Sequence, residues 1–88
     1  MHYLYILQNK SGRSYTGVTQ NVERRILQHN SGRVTSTKHG RQWYVVHIET
    51  FETLSEAKKR EWFIKCTPQG GKLKKKFLET AGIPATKA

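Results

Sequence analysis

The 88-residue sequence predicts a small α+β domain, a three-stranded antiparallel sheet flanked by helices. Three observations predict it. Residues 2–19 read as two short β-type runs joined by a turn, a helical pattern follows at once, and a third β-type run at 43–51 precedes two further helical stretches. A chain this short forms one domain with a modest core, burying roughly 60% of the surface its unfolded form exposes. Residues 1–82 are expected to form that domain, with 83–88 a frayed tail.

His2-Tyr-Leu-Tyr-Ile-Leu-Gln8 is aromatic and aliphatic and stops at Asn9-Lys-Ser-Gly-Arg13, which makes a strand and a turn. Ser14 to Thr19 resumes β-type residues, so the two runs form a hairpin closed around Gly12. Alternation places Tyr3, Tyr5 and Leu7 on one face and pairs that face with Tyr15 and Gly17. Tyr5 should therefore lie near Tyr15.

Asn21 is positioned to cap a helix over 22–30, with Glu23 at its positive end and Asn30-Ser31-Gly32 as its stop. At 100° per residue, Val22, Arg25, Ile26 and His29 share one sector. Arg25 and His29 thus face inward, toward the hairpin. Arg33 to Gln42 has no periodicity and is a polar, basic loop, either a solvated connection or a phosphate-contacting one through Lys38 and Arg41. Trp43 to Phe51 is the third strand. Ser55 is expected to cap a second helix to about Lys65, ended by Pro68, Gly70 and Gly71. Lys72 to Thr80 makes a third, with Leu73, Phe77 and Leu78 inward and Lys72, Lys74, Lys75 and Lys76 solvated.

Sixteen Lys and Arg against six acidic residues give a formal charge of +10, an excess that makes a polyanion the natural partner. No stretch approaches the roughly 18 apolar residues of a spanning helix, and the N-terminus is not built like a signal peptide, so a soluble, cytoplasmic protein without membrane partners is expected. Cys66, the single cysteine, excludes an intramolecular disulfide and a cysteine-rich zinc site and reads as an inert helix residue. There is no Asp, and the six Glu are scattered. A two-metal phosphodiesterase needs several converging carboxylates. Metal chemistry here would use one ion and one carboxylate.

Glu61 is the carboxylate to consider. Its helical angle falls on the stripe defined by Leu54, Ala57 and Ile64, where an isolated charge is unfavourable. Periodicity alone leaves two readings, an ion pair with Arg25 or another inward cation, and a metal site. Each tyrosine, taken singly, fits ordinary strand packing, and His2, His39 and His47 carry no signal of function.

Together, Tyr3-Leu4-Tyr5, Tyr15-Thr16-Gly17, the Asn21 to Asn30 stretch with Arg25 and His29, and Ser55 to Lys65 with Glu61 resemble the GIY-YIG endonuclease superfamily over residues 2 to about 66. The resemblance is nearest to small stand-alone bacterial members, which are similar to the N-terminal nuclease module of the excision-repair incision protein. Tyr3 stands where the family has glycine, Thr16 where it has isoleucine, and Val18 where some members have lysine.

The resemblance implies metal-dependent DNA endonuclease activity in repair or recombination, with phosphodiester bonds hydrolysed. Tyr5 and Tyr15 would position or activate water, Arg25 and His29 would act on the phosphate, and Glu61 would hold one Mg²⁺ or Mn²⁺. A tyrosine hydroxyl ionises near pH 10, so a base role needs cations that lower that value or a metal that acidifies the water. Arg25 is the expected cation. Lys38, Arg41, Lys72, Lys74, Lys75 and Lys76 would contact nucleic acid. Two alternatives from other classes use the same charge: a catalytically silent nucleic-acid-binding module of this fold, and a domain docking an acidic protein. Binding alone gives no reason for an inward Glu61.

Overall fold

The computed structural model describes residues 1–34 and 42–80. The expected contacts Lys38 and Arg41, His39 and the 83–88 tail lie outside the described residues. Three strands and three helices follow in the order β1 (His2–Gln8), β2 (Ser14–Thr19), α1 (Val22–Asn30), β3 (Tyr44–Phe51), α2 (Leu54–Cys66) and α3 (Pro68–Thr80). The sheet is antiparallel throughout, ordered β2-β1-β3. No helix among the described residues is long and apolar enough to cross a membrane.

The hairpin turn is closed by its own side chains. Asn9 Oδ1 accepts from Ser11 Oγ at 2.8 Å and from the Arg13 amide at 2.9 Å, and Gly12 supplies the positive φ of +89°. Strand β1 is central, and its alternation sorts two cores. Leu4 and Ile6 pack with Ile64 of α2 and with Phe63, Phe77 and Leu78. Tyr5 and Leu7 pack with Trp43, Tyr15, Val45 and Ile26 of α1.

Several boundaries differ from expectation. β3 begins at Tyr44, because Asn30 claims both backbone polar groups of Trp43, accepting from its amide at 2.7 Å and donating to its carbonyl at 3.2 Å. Thr53, not Ser55, caps α2. Its hydroxyl accepts from the Glu56 amide at 3.2 Å and donates to the Glu56 carboxylate at 3.0 Å, a reciprocal box that Thr53-Leu-Ser-Glu56 spells out.

The largest departure is α3, which starts at Pro68 rather than Lys72. Pro68 occupies the first turn, where its missing amide costs nothing. Thr67 Oγ1 joins the two helices, donating to the Phe63 carbonyl at 2.6 Å and accepting from the Gly70 amide at 3.0 Å. Gly70 is required by proximity: a Cβ there would fall 2.6 Å from Ile64 Cα. Glycine therefore seats α3 on α2 instead of stopping it. Two side chains also differ, since Leu54 is exposed at the start of α2 and Lys74 is half-buried rather than solvated.

Candidate active site

Register brings the two tyrosines together. Tyr5 pairs with Gly17 and Leu7 with Tyr15 across the hairpin. Tyr5 and Tyr15 lie over the Gly17 backbone, where an added Cβ would sit 2.7 Å from Tyr5 Oη and 3.0 Å from Tyr15 Cε1. The ring centroids are 6.1 Å apart. Gly17 is thus a glycine for space.

α1 covers this face and delivers Arg25 and His29 to it. Tyr5 Oη lies 2.9 Å from His29 Nε2. Arg25 Nε donates to the same hydroxyl at 3.3 Å, and its Nη1 donates to Gln28 Oε1 at 2.8 Å. The His29 ring is edge-on to Tyr5 and 4.7 Å from the Tyr15 ring. Tyr5 and His29 are buried, at 1% and 0% exposure, while Tyr15 is half-exposed. Tyr15 and the half-buried Arg25 are therefore the members of the cluster that reach solvent.

Burial sets the protonation of this cluster. It pushes the Tyr5 hydroxyl up to about 12, although hydrogen bonding and charge from Arg25 act in the opposite direction. Burial, assisted by the charge of Arg25, pushes His29 down to about 4. The expectation that Arg25 would bring Tyr5 toward neutrality is correct in direction and outweighed in size. At pH 7 Tyr5 is a phenol, His29 is a neutral imidazole, and Arg25 carries the charge.

Glu61 is not the partner of Arg25. Its oxygens are each met by a lysine of the same helix, Oε1 by Lys58 at 3.4 Å and Oε2 by Lys65 at 3.3 Å. Lys65 Nζ also stands 5.7 Å from the centroid of the Tyr15 ring. Lys65 thus connects Glu61 to the tyrosine cluster around the β2 edge. It was not among the expected site residues, nor was Gln28, yet both are visible as helical neighbours: Lys65 follows Glu61 by one turn and Gln28 follows Arg25 by three residues.

No group of three or more His, Cys or acidic side chains among the described residues could cage a metal. A hydrated Mg²⁺ held largely by water and substrate phosphate would ask for only one protein carboxylate. Glu61, with 15% of its side chain exposed, can serve as that carboxylate.

The lysines of α3 divide. Lys72, Lys75 and Lys76 are exposed, whereas Lys74 is half-buried and pushed down by burial and then by the charge of Lys65. Lys74 therefore belongs to the Lys65 side of the cluster. His47 is structural: it stacks on Phe77 with centroids 3.6 Å apart and meets Glu49 at 2.8 Å, while Arg60 holds the same carboxylate from α2.

Comparison with known proteins identifies the family. The family described as GIY-YIG catalytic domain matches residues 1–75. A UPF0213 protein of Staphylococcus saprophyticus is 45% identical over 74 residues, covering 83% of this chain and 90% of that protein. One from Halobacterium salinarum is 39% identical over 66 residues, covering 74% of this chain and 86% of its own length. The solution NMR structure of a UPF0213 protein from Bacillus halodurans superposes with a TM-score of 0.54 at 34% identity, covering 97% of this chain and 92% of that one. With its three-stranded antiparallel sheet and with these matches, this chain belongs to the GIY-YIG family and has that family's nuclease-type fold.

Proposed function

We propose that the protein is a metal-dependent DNA endonuclease that hydrolyses phosphodiester bonds, acting in repair or recombination. The observation that carries this reading is the shared Tyr5 hydroxyl. It takes a hydrogen bond from the half-buried Arg25 while contacting the buried, neutral His29, so a cation and an imidazole converge on one hydroxyl, a combination that perturbs ionisation more than packing requires. Arg25 is the phosphate ligand. Its guanidinium, held at Nε by Tyr5 and at Nη1 by Gln28, is oriented before substrate arrives and stabilises charge that builds on the non-bridging oxygens.

Tyr15, the half-exposed member, positions the attacking water. Tyr5 passes the proton inward, receiving one from the water side as its own moves to His29 Nε2. In the free protein this is resisted, because burial and then the charge of Arg25 disfavour an imidazolium. A bound phosphate offsets the charge of Arg25 and leaves the burial, so His29 is a better acceptor with substrate present than without it. Glu61 would hold one Mg²⁺ or Mn²⁺, which supplies acidification of the water and neutralisation of the leaving oxygen. Lys65 shares Glu61 in the free protein and is placed to turn to phosphate once Glu61 is engaged.

A catalytically silent nucleic-acid-binding module is the second reading, favoured by the +10 charge alone. Incubation with plasmid, flap, splayed-arm and single-stranded DNA, and with RNA, separates the two. The nuclease reading expects cleavage in Mg²⁺ that stops with chelator. Tight binding without cleavage of any substrate would favour the silent module.

A further inference from the structure

Two depressions adjoin along α1 and share Arg24 and Gln28. One, of about 430 Å³, is lined by Thr19, Asn21, Arg24, Arg25 and Gln28 among others. Its neighbour, of about 360 Å³, is lined by Arg24, Leu27, Gln28, Ser31 and Arg33. Among the described residues no carboxylate lines either. Glu23 of the same helix lines a third, more apolar depression with Tyr3, Ile26 and Ile48, which meets the first at Gln20 and Asn21. Arg24 and Arg33 are exposed and form no ion pair among the described residues.

The charges that line the trough among the described residues are therefore those of Arg24, Arg25 and Arg33, and Arg25 joins it to the candidate active site. The lysine face of α3 differs on both counts. Its depression, lined by Lys72, Lys75 and Lys76, also contains Glu79 and shares no residue with the tyrosine cluster. A strand whose phosphate sits on Arg25 meets Arg24 and Arg33 next, whose planar forks match phosphate oxygens. Leu27, 69% exposed, offers apolar surface beside them for a sugar or base.

We infer that the α1 trough holds the nucleic-acid strand flanking the scissile phosphate, with Arg24 and Arg33 as its phosphate contacts and Gln28 as the tether that aligns Arg25 with that path. This rests on the nuclease reading and adds to it the route of the substrate. The test is anisotropy of a short fluorescent single-stranded DNA in chelator across a salt series, using wild type, the Arg24→Gln/Arg33→Gln pair and the Lys72→Gln/Lys75→Gln pair. All four positions are exposed, and melting curves verify that each variant is folded.

Loss of two phosphate contacts should make the log–log salt slope shallower by about 1.4 on a single strand. That loss is expected for the arginine pair and is expected to exceed the loss in the lysine pair, a uniform-binding effect that would raise KM and leave kcat unchanged. Retained affinity in the arginine pair, with loss in the lysine pair, would overturn the trough while leaving the nuclease reading intact. Failure of the wild type to bind single- or double-stranded DNA at low salt would overturn both.

Discussion

Tyr5 Oη and His29 Nε2 stand 2.9 Å apart in a site where burial keeps the phenol protonated and the imidazole neutral. The two residues are 24 positions apart, one on the central strand and one on the helix that covers it. Their contact fixes α1 against the sheet and brings Arg25 with it. The same bond is part of the fold and part of the candidate chemistry.

The depressed His29 makes stability fall on acidification. Between pH 6.5 and about 4 the unfolded chain binds a proton that the folded chain refuses, so stability is full above 6.5 and is lost as pH drops toward 4. The whole loss is on the order of 3 kcal/mol. Urea melts at pH 7 and pH 5 should show a clear fraction of it, and His29→Gln should remove most of the difference. A flat profile for the wild type over that interval would show that His29 is not held neutral.

Gly17→Ala tests the packing of the tyrosines. Its Cβ would lie 2.7 Å from Tyr5 Oη, so the ring must move. Overpacking of this kind costs about 1–3 kcal/mol. The displaced hydroxyl also leaves Arg25 and His29, so activity should fall more steeply than stability. A variant that melts like wild type and cleaves normally would mean the hydroxyl has room that the structure does not show.

Much of this arrangement was legible in the sequence, for physical reasons. Hairpin alternation placed Tyr5 beside Tyr15, and helical angles aimed Arg25 and His29 at the sheet, because both periods are fixed by backbone geometry. What depended on tertiary proximity was not legible. Gly70 looked like a helix stop, yet its lack of a side chain lets α3 lie against α2. Glu61 lies largely shielded, as its helical angle implies, but of the cations it could have met the described residues supply Lys58 and Lys65 of the same helix and not Arg25. The net shift of Tyr5 was hidden too, since a sequence displays the cation and not the burial that opposes it.

Because the partners of Glu61 among the described residues are two exposed lysines, Glu61→Gln should change stability by no more than about 1 kcal/mol. A metal ligand lost at the same time should remove Mg²⁺-dependent cleavage, and Mn²⁺ titration of the variant should show no saturable site. DNA affinity should hold or rise as a negative charge leaves a positive surface. A drop of several kcal/mol with unchanged metal binding would return Glu61 to a structural role.

The most direct measurement of the central claim is the single-turnover cleavage rate of wild type and Tyr5→Phe in saturating Mg²⁺, alongside a melt of each. Phenylalanine keeps the ring in its core and removes the hydroxyl shared by Arg25 and His29, so about 1 kcal/mol of stability should be lost while the fold persists. The cleavage step should slow by about 10² to 10⁴-fold with DNA affinity nearly unchanged. Wild-type cleavage rates in a folded Tyr5→Phe protein would contradict the proton path from Tyr5 to His29 and, with it, the mechanism proposed for this site.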